Sequence, residues 1–399
     1  MPAMDDVIET CVAWRRHLHA HPELLYDLPA TTHFVAGRLA EAGVDAIETG
    51  VGGSGIVAVI GGAGTSRRVV GLRADMDALP ISEATGLPYA SRAAGRMHAC
   101  GHDGHTAMLL GAARRLAATR DFSGTVALLF QPAEEGGAGA RAMIEDGVLD
   151  RFGIAEVYGL HAMPGLPVGH FATRAGPLMA ASDLVTITLG GRGGHAGAPH
   201  LADDVVLAGA AIVQAVQWIT ARTLDPLESA VVSLTCFQAG ERENVVPATA
   251  TIKGTVRALH EPARRAIEER LCDMVPKIAA GFGVAATVLY RREYPATVNA
   301  TDQAARAVEV AGALVGPQAV DANARPILAS EDFAYFLAER PGAFTFLGNG
   351  DSAPLHSPNF DFADAAIPFG IGFLCRLAAA ALAQGPRTLP GGTHRKDRP

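Results

Sequence analysis

Between residues 6 and 18 the apolar side chains Ile8, Cys11, Val12 and Leu18 recur at helical intervals, and Pro22 closes the segment, which predicts a helix over Asp6–Leu18. A second helix is expected from Ala30 to Ala42. The period then changes. Ile56–Ile60 and Arg68–Leu72 are short apolar runs bounded by glycine, the pattern of strands in a buried sheet. A helix over Thr106–Ala118 and a strand over Thr125–Phe130 follow, and strands alternating with helices argue for an α/β core.

From about residue 180 the order is different. Strand-like runs at Leu184–Leu189 and Ala230–Phe237 flank a helix over Asp203–Thr220; a strand over Thr249–Arg257, a helix over Pro262–Ala280 and a strand over Ala285–Arg291 come next. This β-α-β-β-α-β order is the ferredoxin-like arrangement. It reads as a small α+β domain at 180–294 inserted into a larger one made of 1–179 and 295–384. The Pro-, Gly- and base-rich tail 385–399 is expected to be disordered.

Composition narrows the function. A chain of 399 residues exceeds what one core usually supports, and 49% hydrophobic with 19% charged residues gives ample material for packed cores. A net charge of -8 carries no clustered basic footprint for nucleic acid or an anionic membrane, so the expected ligand is small. The amino terminus lacks a basic-then-apolar signal and no run of about 18 apolar residues is found, which reads as cytoplasmic. Five scattered cysteines form no disulfide framework. Cys100 stands apart from the other four.

That cysteine lies in Met97-His98-Ala99-Cys100-Gly101-His102-Asp103-Gly104-His105, where a thiol, a carboxylate and three imidazoles crowd into a glycine-bent loop before a helix. Such a cluster can supply two or three ligands to divalent metal, with the remaining His and Asp as supporting partners. A plain polar loop and a Cys-His nucleophile are the alternatives, and the second seldom has its partners adjacent in sequence. Glu134-Glu135 follows the apolar strand ending at Phe130, at the strand end that faces the crevice in α/β sheets. A hydrolase can use one carboxylate as base and another as ligand, although a Glu-Glu pair alone also fits a solvated surface. His161 follows another apolar run and His356 sits in a late loop; each alone would pass for a structural histidine. Asp75 and Asp77 follow the strand Val69–Leu72, where one could orient a ligand histidine or cap a helix. In the insert, His195 lies in a glycine-rich turn, and Asn244 and Arg257 stand at strand margins, an amide and a guanidinium able to hold a carboxylate.

Together these segments resemble the aminoacylase and carboxypeptidase type of dinuclear metallohydrolases, and within it the branch of hippurate hydrolases and IAA-amino acid hydrolases. The likeness spans nearly the whole chain: Arg15-Arg16-His17-Leu18-His19 with Pro22-Glu23-Leu24, then RADMDALP, MHACGHDGHTAMLLGAA, QPAEEGGAGA, GLHAMPGLPVG, GGHAGAPH, ENVVP, SEDFAYF and LHSPNFDF. Leu328-Ala329 departs from the expected glycine-containing approach to Ser330-Glu331-Asp332 and touches no catalytic position. The resemblance implies a zinc-exopeptidase-like catalytic domain, with a sheet covered by helices on both faces, and an inserted lid and dimerisation domain. It implies two divalent ions per subunit (Mn²⁺, Zn²⁺, Ni²⁺ or Co²⁺) held by Cys100, His102, Glu135, His161 and His356. Glu134 is then the general base and Asp77 orients the metal cluster. His195 reaches the partner's site in a homodimer or higher homo-oligomer, while Asn244 and Arg257 hold the substrate's α-carboxylate. The implied activity is N-acyl amino acid hydrolysis, with a di- or tripeptidase as the nearest alternative. A non-catalytic metal- or amino-acid-binding protein would be expected to lose the base that Glu134 retains.

Overall fold

The structure is a computed structural model and describes residues 4–383, so the tail expected over 385–399 lies outside the described residues. The described chain forms two compact units. One takes in the chain up to Thr173, Asp302–Ala322 and the segment from Arg340; the other takes in Arg174–Thr301 and Asn323–Glu339.

In the first unit an eight-stranded sheet has at its centre four parallel strands, in spatial order Thr125–Gln131, Val69–Asp75, Ile154–Met163 and Gly342–Gly348. Their near-continuous apolar runs bury both faces, as parallel strands covered by helices require. Gly55–Gly61 and Ala46–Val51 extend the sheet antiparallel on one side. Helices Met4–Ala20, Pro29–Ala42, His102–Thr119 and Ile367–Ala383 supply covering side chains, among them Cys11, Val35, Leu109 and Leu377, to a single core.

In the second unit a four-stranded antiparallel sheet runs in the spatial order Ala230–Ala239, Thr249–Ala258, Ala181–Gly190, Ala285–Arg292. The connection is β-α-β-β-α-β, with helices Val205–Trp218 and Glu261–Gly281 between strands. Alternate residues of the strands (Val185, Ile187, Leu189, Ile252, Val256) meet Ala208, Ile212, Val216, Ile267 and Leu271 of the helices in one core. Asp204 caps the first helix by accepting from the amides of Val206 and Leu207.

Two segments, Val205–Thr223 and Asp364–Ala383, are long and apolar enough to cross a membrane by length and composition. Neither is an uninterrupted apolar run: Gln214, Gln217 and Arg222 break the first, and Asp364 and Arg376 the second. Part of their apolar surface goes into packing: Leu374, Leu377, Ala378 and Ala381 fill the first core, and Val205, Ala208, Ile212 and Val216 fill the second.

Candidate metal centre

Three neighbouring parallel strands of the first unit carry chemistry at their carboxyl ends. Val69–Asp75 runs on into Met76-Asp77, Thr125–Gln131 into the turn holding Glu134 and Glu135, and Ile154–Met163 carries His161. The loop Met97–Gly101 comes in beside them and the helix begins at His102, a turn earlier than the hydrophobic period predicts. Two glycines make this possible. Gly101 has φ +90°, and a Cβ on Gly104 would lie 2.4 Å from the ring of Phe362.

The hydrogen bonds fix which atom each imidazole offers. His102 donates from Nδ1 to the carbonyl oxygen of Asp77 at 2.8 Å, which leaves Nε2 buried with no hydrogen-bond partner among the described residues. His161 donates from Nδ1 to the carbonyl of Ala162 at 2.8 Å, leaving Nε2 3.4 Å from Cys100 Sγ. Donor atoms of Cys100, His102 and Glu135 lie within 4.8 Å of one another. His356 Nε2 is 3.2 Å from Glu135 Oε1, and its backbone amide donates to Ala99 O at 2.7 Å. A φ of +64° at His356 is the backbone conformation that turns this loop. The five expected ligands therefore stand together. A thiol, a carboxylate and imidazoles with their lone pairs turned to one another are a donor set for divalent metal.

Asp77 organises the centre from beneath. Its two carboxylate oxygens accept from the amides of Glu134 and Glu135 at 3.0 and 3.1 Å, and its carbonyl holds His102. Burial pushes its carboxyl above the usual range. The turn beyond it contains Ala133 at φ +52° and Gly136 at φ +88°. Glu134 is buried at 7% exposure, so the acid expected to act as base is shielded from bulk water.

Protonation follows from contacts. Burial pushes His161 well below the ordinary histidine value, so it is neutral and able to ligate. Burial alone would raise Glu135, but its hydrogen bond from His356 and the charge of His102 outweigh that and lower it. Hydrogen bonds to Cys100 and then Glu135 raise His356 to about 10, and burial raises the Cys100 thiol. Below those values both groups hold protons that a metal ion must displace. Each displaced proton makes apparent affinity climb about tenfold per pH unit. With two protons displaced over two pH units, Zn²⁺ affinity, measured by chelator competition, is expected to rise roughly 10⁴-fold between about pH 6 and 8. A flat profile would contradict these contacts.

Several supporting contacts join residues that the sequence offered as supporting partners, Asp75, Asp103 and His105, to ones it gave no role. Asp75 accepts from His105 Nδ1 at 2.7 Å and from Arg73 Nη1 at 2.7 Å. Arg15, fully buried, lies against Asp103 at 3.0 Å and also pairs with Asp361; His19 Nδ1 meets Asp103 at 2.8 Å. The signal for Arg15 was present: it falls on the helix face of Cys11 and Leu18, where a charge needs buried partners.

In the second unit His195 and Asn244 are neighbours. His195 pairs with Val245, and the carbonyl of Asn244 accepts from Ala196 N at 3.0 Å. His195 Nδ1 accepts from Gly197 N at 2.9 Å, so Nε2 carries the ring proton and can donate. Arg257 is elsewhere. The register sets Thr249 opposite Gly190 and Arg257 opposite Ser182, and the strand rises about 26 Å between Thr249 and Arg257 at ~3.3 Å per residue. Its half-buried guanidinium donates to Val256 O at 3.2 Å, and burial lowers its pKa.

Residues 71–380 match the family described as Peptidase family M20/M25/M40. The chain is 41% identical to the hippurate hydrolase of Campylobacter jejuni over 91% of its own length and 94% of the relative's. It is 38% identical to an N-acetylcysteine deacetylase of Bacillus subtilis over 92% and 96%. Among solved structures, the Bacillus subtilis YXEP protein, a dinuclear metal binding peptidase from the M20 family, superposes with a TM-score of 0.84 at 34% identity, covering 95% of this chain and 99% of that one.

Proposed function

We propose that this chain, which belongs to peptidase family M20/M25/M40, hydrolyses the amide bond of N-acyl amino acids to a carboxylic acid and a free amino acid. The observation that carries the reading is the gathering of the buried Cys100, His102 and His161 with Glu135 and the more exposed His356, next to Glu134 on a turn held by Asp77. Its relatives named for hippurate and N-acetylcysteine support the substrate class.

Cys100, His102, Glu135, His161 and His356 would hold two divalent ions, which would supply Lewis acidity to the attacking water and the scissile carbonyl. Glu134 takes the proton from the attacking water and returns it to the departing amine nitrogen. The Nε2–H of His195 donates to the carbonyl oxygen as negative charge develops there. Arg257 and Asn244 hold the α-carboxylate, the guanidinium through two parallel hydrogen bonds. The thiolate suits zinc, while the carboxylate and imidazoles suit manganese, nickel or cobalt. All five cysteines are free thiols, which suits work in the reducing cytoplasm.

The deciding experiment is exhaustive chelation followed by add-back, with N-acetyl, N-benzoyl and N-indoleacetyl amino acids as substrates. Activity is expected to vanish while circular dichroism keeps the folded signature, because two large apolar cores stand without metal. It should return with Mn²⁺, Zn²⁺, Co²⁺ or Ni²⁺. Full turnover by verified metal-free protein would sink the reading.

Arg257→Ala is expected to raise KM for carboxylate-bearing substrates about ten- to a hundredfold, the equivalent of the ~1.5–3 kcal/mol of a charge-assisted hydrogen bond. The corresponding amides, which lack the partner charge, should change little. An equal effect on acids and amides would reject the carboxylate role.

The same reading includes a homodimer. His195 and Asn244 stand at one end of their unit's sheet and Arg257 towards the other, so for all three to serve one centre a second copy supplies one end. Exposed Val206, Leu207, Trp218, Val231 and Phe237, on the helix Val205–Trp218 and the edge strand Ala230–Ala239, are apolar surface of the kind a two-fold partner covers.

A further inference from the structure

His105 stands among the metal-ligand candidates and does not behave as one. Donor atoms of Asp75, His102, His105 and His161 lie within 4.8 Å of one another, and the rings of His105 and His161 have centroids 4.5 Å apart. By proximity alone His105 would be a sixth ligand. Its two nitrogens are already committed. Nδ1 faces Asp75 Oδ1 at 2.7 Å, a carboxylate that Arg73 keeps ionised and that can only accept, so Nδ1 carries the proton. Nε2 lies 2.9 Å from the amide nitrogen of Ala162, which can only donate, so the Nε2 lone pair is taken. The ring is the neutral Nδ1–H tautomer with no lone pair left for an ion.

The destination of the second bond is informative. Ala162 follows His161, and both of its backbone polar groups are gripped: the N–H by His105, the C=O by Nδ1–H of His161 itself. A chain of bonds runs from Arg73 through Asp75 and His105 into the peptide that carries His161, and ends on His161's own ring. It fixes the backbone from which the imidazole projects and the tautomer that leaves Nε2 facing Cys100. The helix His102–Thr119 and the strand Ile154–Met163 are tied together at this point, and His105 and Asp75 are buried at 2% and 0% exposure.

We propose that Asp75 and His105 form a positioning pair that aims Nε2 of His161, and thereby sets the affinity of the ion His161 holds. The proposal rests on the reading of His161 as a ligand. His105 is a positioning residue: it acts through the Ala162 peptide and touches neither ion nor substrate.

The test uses the full chain stripped of metal and titrated with Zn²⁺ against a chromophoric chelator, alongside hydrogen exchange of the Ala162 amide in the metal-free protein and thermal unfolding. His105→Asn keeps a donor near the Nδ1 position for Asp75 but does not reach Ala162. It is expected to lose protection of that amide and to weaken one of the two ions about ten- to a hundredfold, the usual cost of removing a ligand's supporting partner. His105→Gln carries its amide oxygen out to the Nε2 position and should recover both readouts to within about threefold, by the same reasoning. Unchanged Zn²⁺ affinity in His105→Asn, with only a lower melting temperature, would reduce His105 to packing and overturn the proposal. Loss of an ion in His105→Gln as complete as in His161→Ala would make His105 a ligand, which also overturns it. If His161→Ala itself keeps both ions at full affinity, the ligand reading has failed and this one falls with it; a normal loss in His161→Ala beside an unaffected His105→Asn defeats the positioning pair alone.

Discussion

Glu134→Gln should lower kcat by about 10²–10⁴-fold, the range a positioned acid–base group contributes, while metal content stays at the wild-type level. Glu135→Gln should lose metal. The two residues are neighbours in sequence, and Asp77 holds both backbone amides, so neither substitution disturbs the bonds that shape the turn. What differs is where the side chains work. Glu135 faces His356 Nε2 at 3.2 Å and lies among the donor atoms of Cys100 and His102, so an amide there removes a negative charge and sets an NH₂ group against imidazole. Glu134 is assigned the water's proton, and glutamine of the same shape cannot accept it. Elemental analysis beside steady-state kinetics separates the cases. Equal metal loss in both variants would show the roles misassigned.

Elements whose stability comes from an apolar period were legible in the sequence, and polar segments buried by partners were not. The run Thr125–Phe130 is the strand Thr125–Gln131, and Ala285–Arg291 is Ala285–Arg292. The helix expected at Thr106 starts at His102, because its first turn is built of His102, Asp103 and His105, which a hydrophobic pattern reads as loop. His161, expected after a strand, lies inside Ile154–Met163, where its neighbours Leu160 and Ala162 belong to the hydrophobic core and only its own side chain belongs to the centre. Clustered donors at Cys100 and His102 announced themselves by spacing. Links between distant segments did not: the pairing of Asp75 with His105 exists only once a strand end and a helix start are packed together. His195, Asn244 and Arg257 fare similarly. Sequence marks them as turn and strand-margin residues, and only the register separates the first two from the third along the sheet.

That separation leads to the second large effect. Mixing two inactive variants, Glu134→Gln and His195→Ala, should restore activity once subunits exchange. A two-fold interface presents the same patch of each subunit to the other, so each copy can lend its His195 to its neighbour's centre. Random pairing at equal concentration gives about half heterodimers. In each heterodimer, the centre on the His195→Ala subunit keeps its own Glu134 and receives an intact His195, whereas the other centre lacks both. About a quarter of all centres should therefore recover, against a background close to zero in either variant alone. The apolar residues Leu207, Trp218 and Phe237 at the proposed interface give a control, since replacing them with charged residues should prevent both exchange and recovery. If His195 serves the centre of its own subunit, every centre in the mixture carries a lesion and mixing restores nothing. Exchange demonstrated with labelled subunits, without any return of turnover, would refute the shared centre and leave the metal ligands as they stand.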